Sequence, residues 1–152
     1  MFRGYVVEGD SPARGALVEC LAELAGVTTV GCAGDEQTAT AWLTDAANDW
    51  DIAIVDLRLD AGGSGFGVLK ALMRRHAHQR VVVWTAASDE GSTRRSRAYG
   101  AEMVFDRAAG SSELMDFCFA ASQAQVRAAG TLNRSAAAFS KPAADGARTA
   151  AA

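Results

Sequence analysis

The sequence predicts an α/β protein built on one parallel, doubly wound sheet of five strands, with helices on both faces. Two observations carry this reading. Short, wholly apolar runs such as Ile52–Val55 and Val81–Trp84 suit strands buried on both faces. Between such runs lie segments whose apolar residues recur at helical spacing, so strand and helix alternate strictly, and right-handed crossovers then give a parallel sheet. At 152 residues, 49% hydrophobic and 22% charged, the chain is sized for a single domain with a substantial core.

The elements follow in order. Tyr5-Val-Val reads as the first strand, and the helix after it has Ser11 as its expected N-cap, Pro12 at its first position, and Leu17, Leu21 and Leu24 on one face. Val27–Cys32 is the second strand, and Gly34-Asp35 opens a helix carrying Trp42, Leu43 and Ala46. Ile52–Val55 is the third strand, Phe66–His76 a helix, and Arg80–Thr85 the fourth strand. Asp89–Tyr99 is expected to be helical with Ser88 as cap, Met103–Phe105 to form a short fifth strand, and Ser111 onward a last helix. From about Ala129 the composition collapses to Ala, Ser, Gly and Thr with Pro142. The domain is therefore drawn at 1–128, followed by an Ala-rich tail at 129–152 that is expected to be disordered.

Composition excludes several function classes. The net charge is −3 and the basic residues are dispersed, which argues against nucleic-acid binding. Arg94, Arg95 and Arg97 read as a solvated helix face. No apolar run is long enough to cross a bilayer, and Arg3 and Glu8 interrupt the amino-terminal stretch, so a cytoplasmic location without membrane insertion is expected. Cys20, Cys32 and Cys118 form no Cys-x-x-Cys pair and are expected to be small core hydrophobes. His76 and His78 lie beside Arg74 and Arg75 with no ligand partner at metal spacing. Gly62–Gly67 lacks the Gly-Lys-Ser/Thr ending of a phosphate-binding P-loop and the dinucleotide spacing, so it reads as a flexible loop.

Functional side chains gather at the carboxyl ends of separate strands: Glu8 and Asp10 after the first, Asp56 after the third, Thr85 after the fourth, Arg107 after the fifth. A doubly wound sheet brings these ends to one rim. The chemistry such a set suggests is phosphoryl transfer to a carboxylate. Hard oxygen ligands from Glu8 and Asp56 suit Mg²⁺, Asp56 is a candidate nucleophile, and Thr85 and Arg107 are candidate donors to phosphoryl oxygens.

Four segments, Val6-Val7-Glu8-Gly9-Asp10, Ile54-Val55-Asp56-Leu57-Arg58-Leu59, Val81–Ala86 and Gly100–Arg107, lie in an order and spacing that resembles the receiver domain of bacterial response regulators, over roughly residues 3 to 125. The resemblance implies a flavodoxin-like three-layer fold with strand order 2-1-3-4-5. It also implies that Asp56 accepts a phosphoryl group from a histidine kinase or phosphotransfer protein. Mg²⁺ would be held by Glu8, Asp10, Asp56 and the backbone carbonyl of Arg58, Thr85 and Arg107 would engage the phosphoryl group, and Ala86 would leave access. The chain would act as a single-domain response regulator in a two-component phosphorelay and signal to a downstream protein by contact. Its chemistry would be limited to self-catalysed phosphoryl transfer and autodephosphorylation, with no metabolic activity. The sequence departs from the family pattern at three places: Gly9 stands where a second acidic residue is usual, Arg107 where a lysine is usual, and Val104 at the aromatic switch position. The alternative is a phosphorylation-independent pseudo-receiver that serves as a dimerisation or partner-binding module.

The last helix carries two apolar stripes. Leu114, Phe117, Cys118 and Ala121 face the core, while Met115, Phe119, Ser122 and Val126 form a second stripe. The second stripe, through Met115, Phe119 and Val126, is expected to contact a partner or a second copy of the chain.

Overall fold

The computed structural model describes residues 1–140. Five parallel strands, β1 (Phe2–Val7), β2 (Val27–Ala33), β3 (Ile52–Val55), β4 (Arg80–Thr85) and β5 (Met103–Asp106), form one sheet in the order β2-β1-β3-β4-β5. Helices α1 (Ser11–Ala25), α2 (Glu36–Leu43), α3 (Gly65–Ala71), α4 (Glu90–Ala98) and α5 (Ser112–Ser140) connect and cover them. The result is the flavodoxin-like, doubly wound sandwich that the alternation of apolar runs calls for.

The pleat explains the two cores, because successive strand side chains point to opposite faces. Tyr5, Val7, Ala53, Val55, Val81 and Val83 pack on one side with Ala39 and Leu43 of α2 and Val68 and Leu69 of α3. Val6, Ile52, Ile54 and Val82 pack on the other with Leu17 and Leu21 of α1 and Leu114 and Cys118 of α5. The sheet interior is therefore apolar on both faces, and polar side chains at its centre are confined to the strand ends.

Helix termini differ from the sequence reading in small, explicable ways. Asp10, not Ser11, caps α1, because its extended backbone lets the carboxylate accept the Ala13 N–H at 2.9 Å. Asp89, not Ser88, caps α4 by accepting the Ser92 N–H at 2.7 Å. Helix α3 is shorter than expected: the Arg75 guanidinium donates to the carbonyls of Leu72, Gln79 and Gly100, which holds the chain in a turn before His76. Helix α1 ends at Gly26 in the left-handed conformation (φ 65°). Helix α5 does not stop near residue 128 but continues to Ser140, a stretch in which Ala129, Leu132, Arg134 and Ala136–Ala138 are strong helix formers. The remainder of the expected tail, residues 141–152, lies outside the described residues.

Two expectations about burial need correction. Met115 is 4% exposed and lies in the α1–α5 core with Cys118 and Ala121, so it is not part of an open stripe. Ser122 is also buried, close to Gly26 at the end of α1, because α5 leans on α1 along this line. Cys118 is a core residue as expected, Cys20 is half-buried, and Cys32 is exposed because it falls on the outward side of edge strand β2.

A buried polar knot ties the amino-terminal edge of the sheet to α5. Asp51 accepts the Arg3 backbone N–H at 2.7 Å, the Arg3 Nε–H at 3.1 Å and the Gln125 amide at 2.9 Å. Burial alone would raise its carboxyl, but the hydrogen bonds from Arg3 and Gln125 and the charge of Arg3 hold it below the usual carboxylate range. A depressed folded value contributes stability that is complete above the unfolded value of about 3.9 and is lost as pH falls through the folded value. Asp51→Asn is expected to destabilise the domain by about 1.5–3 kcal/mol at neutral pH. The gap between the two proteins should close in denaturant melts below about pH 4.

Candidate functional site

The register of the sheet assembles the site. Val7 pairs with Val55 across β1 and β3, so Glu8 and Asp56, each one residue further on, emerge side by side at the carboxyl edge. The ladder carries on into both, with Glu8 N–H donating to Ala33 O and Asp56 N–H to Val7 O, each at 2.9 Å. On the other flank Thr85 pairs with Asp106, which places Arg107 just past the same edge at the start of a short 3₁₀ turn (Arg107–Ala109). Glu8, Asp56 and Thr85 are all buried.

Asp56 is held asymmetrically. Its Oδ1 accepts the Thr85 hydroxyl at 2.7 Å and the Arg58 backbone N–H at 3.3 Å. Its Oδ2 faces the Arg107 guanidinium at 3.5 Å. The Thr85 oxygen is fixed in turn by the Ala87 N–H at 3.1 Å, and Ala86 beside it is exposed, so no bulk covers the rim there. Gly65 lets the β3–α3 loop pass directly beneath: a Cβ at this position would sit 2.1 Å from the Asp56 carbonyl oxygen.

Arg107 also forms an ion pair with Glu8 Oε2, while Glu8 Oε1 accepts the Asp10 N–H at 3.0 Å. Its guanidinium lies over the Trp84 ring, 5.8 Å from the centroid. Burial pushes its pKa down from the ordinary arginine value, but a guanidinium keeps its charge across the accessible pH range. The Arg107 Nε is buried and makes no hydrogen bond among the described residues.

A cleft of about 600 Å³ opens above Asp56, lined by Glu8, Gly9, Asp10, Asp56, Arg58 and Asp60. The sequence reading did not anticipate Asp60. Its Oδ1 lies 3.2 Å from where a Cβ on Gly9 would be, so it occupies room that the missing side chain leaves. The only sequence signal was a carboxylate four residues past Asp56, at the head of the glycine-rich loop.

The expected Mg²⁺ ligands do not assemble. Among the described residues no group of three His, Cys, Asp or Glu side chains is disposed to hold a metal ion. Gly9 supplies no ligand, the Asp10 carboxylate is turned to the α1 amides, and Glu8 is paired with Arg107. As arranged, this donor set does not fit a divalent cation. Val104, at the expected switch position, is half-buried and packs with Phe66 and Tyr99 against the α2–α3 core. Phe119 and Val126 are 50% and 61% exposed on α5, in contrast to Met115.

The family model for the response regulator receiver domain matches residues 5–118. A search of curated proteins finds no match. Solved structures share the fold. The receiver domain of Francisella response regulator 1452 superposes with a TM-score of 0.70 at 16% identity, covering 82% of this chain and 99% of that one. A Thermotoga maritima response regulator protein, TrrA, solved in complex with Mg²⁺-BeF, gives 0.67 at 23% identity over 80% and 99%. A LuxR-family DNA-binding response regulator from Staphylococcus aureus gives 0.68 at 15% identity over 76% and 94%.

Three outcomes follow from the structure. Arg107→Gln strands the buried Glu8 charge and is expected to cost up to about 3–5 kcal/mol in chemical denaturation, at the low end because the guanidinium is partly exposed; adding Glu8→Gln should restore most of the loss. Gly65→Ala drives a methyl into the Asp56 backbone and should destabilise by about 1–3 kcal/mol or more. Gly15→Ala, on an open face of α1, should stabilise by about 0.5–1 kcal/mol in the same melts.

Proposed function

The chain belongs to the response regulator receiver family, and on that premise we propose that it accepts a phosphoryl group on Asp56 from the phosphohistidine of a histidine kinase or phosphotransfer protein. The observation that carries this reading is the asymmetric hold on Asp56. Oδ1 is occupied by Thr85 and Arg58, which leaves Oδ2 directed at Arg107 and the cleft as the nucleophilic oxygen. In-line attack by Oδ2 forms the O–P bond as the P–N bond to the donor imidazole breaks, and the bonding electron pair stays with the imidazole nitrogen.

The residues around Asp56 suit that transfer. Arg107 offers a permanent positive charge and a buried Nε with no acceptor among the described residues, a donor for a phosphoryl oxygen. Thr85 offers a hydroxyl beside the acceptor, and the small, exposed Ala86 leaves the approach open. The product adds a charge of about −1.5 to −2 at the rim. We assign the output to protein contact, with the exposed Phe119 and Val126 on α5 as the candidate surface for a downstream partner or a second copy of the chain.

Incubation with acetyl phosphate or phosphoramidate, followed by intact-mass spectrometry, tests the assignment. The native chain should gain the mass of one phosphoryl group, Asp56→Asn should gain none, and Thr85→Ala should be labelled more slowly. A native mass that stays unshifted with both donors, with and without Mg²⁺, would replace this reading with the phosphorylation-independent module.

A further inference from the structure

We propose that Arg107 is the resident cation of the Asp56 pocket: its guanidinium takes the position and charge role of a divalent metal, so the native site does not take up such an ion. This deepens the reading of Asp56 as the reactive residue and rests on it. The metal test, however, involves no phosphoryl donor, so the two can fail separately.

The argument begins with electrostatics. Glu8 is 3% exposed and Asp56 is buried beside it on the neighbouring strand, and two like charges in such a place require a counter-charge. A proton, a bound cation or a built-in cationic side chain are the three possible sources. The chain supplies the third. Arg107 pairs with Glu8 Oε2 and faces Asp56 Oδ2, linking the two carboxylates that would otherwise share a metal. Unlike an ammonium, a guanidinium cannot leave the pocket uncharged by losing a proton.

The acidic side of the site has changed in the matching direction. Gly9 carries no carboxylate, and the Asp10 carboxylate is committed to the first turn of α1. Asp60 approaches Gly9 from the β3–α3 loop, yet it completes no three-carboxylate group with Glu8 and Asp56. A divalent ion entering between Glu8 and Asp56 would meet a fixed positive charge that already pairs with one carboxylate and faces the other, so the two together keep only about one net negative charge for the ion. Removing the guanidinium leaves two buried carboxylates facing each other, an arrangement that attracts a hard cation.

Trp84, whose ring lies against the Arg107 guanidinium, reports on the position of that side chain. Mg²⁺ and, separately, Mn²⁺ are titrated through the millimolar range into the native chain, Arg107→Gln and Arg107→Lys, and followed by tryptophan fluorescence and isothermal titration calorimetry. The native chain should give no saturable response. Arg107→Gln should bind both ions, tighter than the native chain by roughly tenfold or more, and lose that binding when Asp56→Asn is added. Arg107→Lys, whose compact ammonium pairs with two carboxylates less well, should fall between them. If Arg107→Gln folds poorly, its melting temperature provides the same test: it should rise with Mg²⁺ while that of the native chain stays fixed. Saturable native binding that Asp56→Asn abolishes would overturn the proposal. So would a flat response in both Arg107 variants, since Arg107 would then not be what keeps metal out.

Discussion

Two carboxylates must lie next to each other where strands β1 and β3 leave the sheet, and much of the site is arranged around that constraint. The pairing of Val7 with Val55 gives Glu8 and Asp56 no freedom to separate. Two unit charges about 4 Å apart repel by about 4 kcal/mol at an effective dielectric near 20, enough to remove a good part of a small domain's stability. Arg107 answers this charge from beyond β5, and Thr85 and the Arg58 amide answer it with hydrogen bonds. Gly65 contributes differently, by letting the start of α3 lie against the Asp56 and Leu57 backbone, where its N–H donates to Leu57 O.

The sheet and the membership of the site were readable in the sequence because both depend on coarse, repeated signals. Runs such as Ile52–Val55 have only one comfortable place in a soluble fold, and the bounds of β3 and β4 agree with the expected ones to the residue. Residues that end such runs must meet at one rim, which is why Glu8, Asp56, Thr85 and Arg107 could be gathered without coordinates. Less legible were choices between adjacent, similar residues. Asp10 and Ser11 are both good caps, as are Ser88 and Asp89, and the outcome turns on backbone angles that composition does not set. Met115 was misplaced because a helix that packs on a neighbouring helix as well as on a sheet buries a wider arc than one apolar stripe suggests. Asp60 escaped notice because its position depends on the fold of a glycine-rich loop. Nor could spacing reveal that Arg107 would pair with Glu8 as well as Asp56.

Helix α4 shows how a surface that looks merely charged can be internally engaged. Its only buried residue is Ser96, so apolar packing does little to hold it. Arg95, however, lies 4.2 Å from the centroid of the Phe66 ring on α3 and also over Tyr99, which Lys70 approaches from α3. Of the three arginines that read as a solvated face, one is thus a tether between helices, a role that charge patterning cannot distinguish from solvation.

The Thr85 hydroxyl is already docked on Asp56 and wholly buried, and the half-buried Val104 presents no ring that could swing into space vacated by a moving threonine. Little mechanical travel is therefore stored at the end of β4. Charge added at Asp56 would then be felt beyond this rim chiefly as an altered electric field, reaching about a Debye length of 10 Å and muted as salt rises. A partner resting on Phe119 and Val126 of α5 would register that field only where its own charged groups reach the cleft mouth.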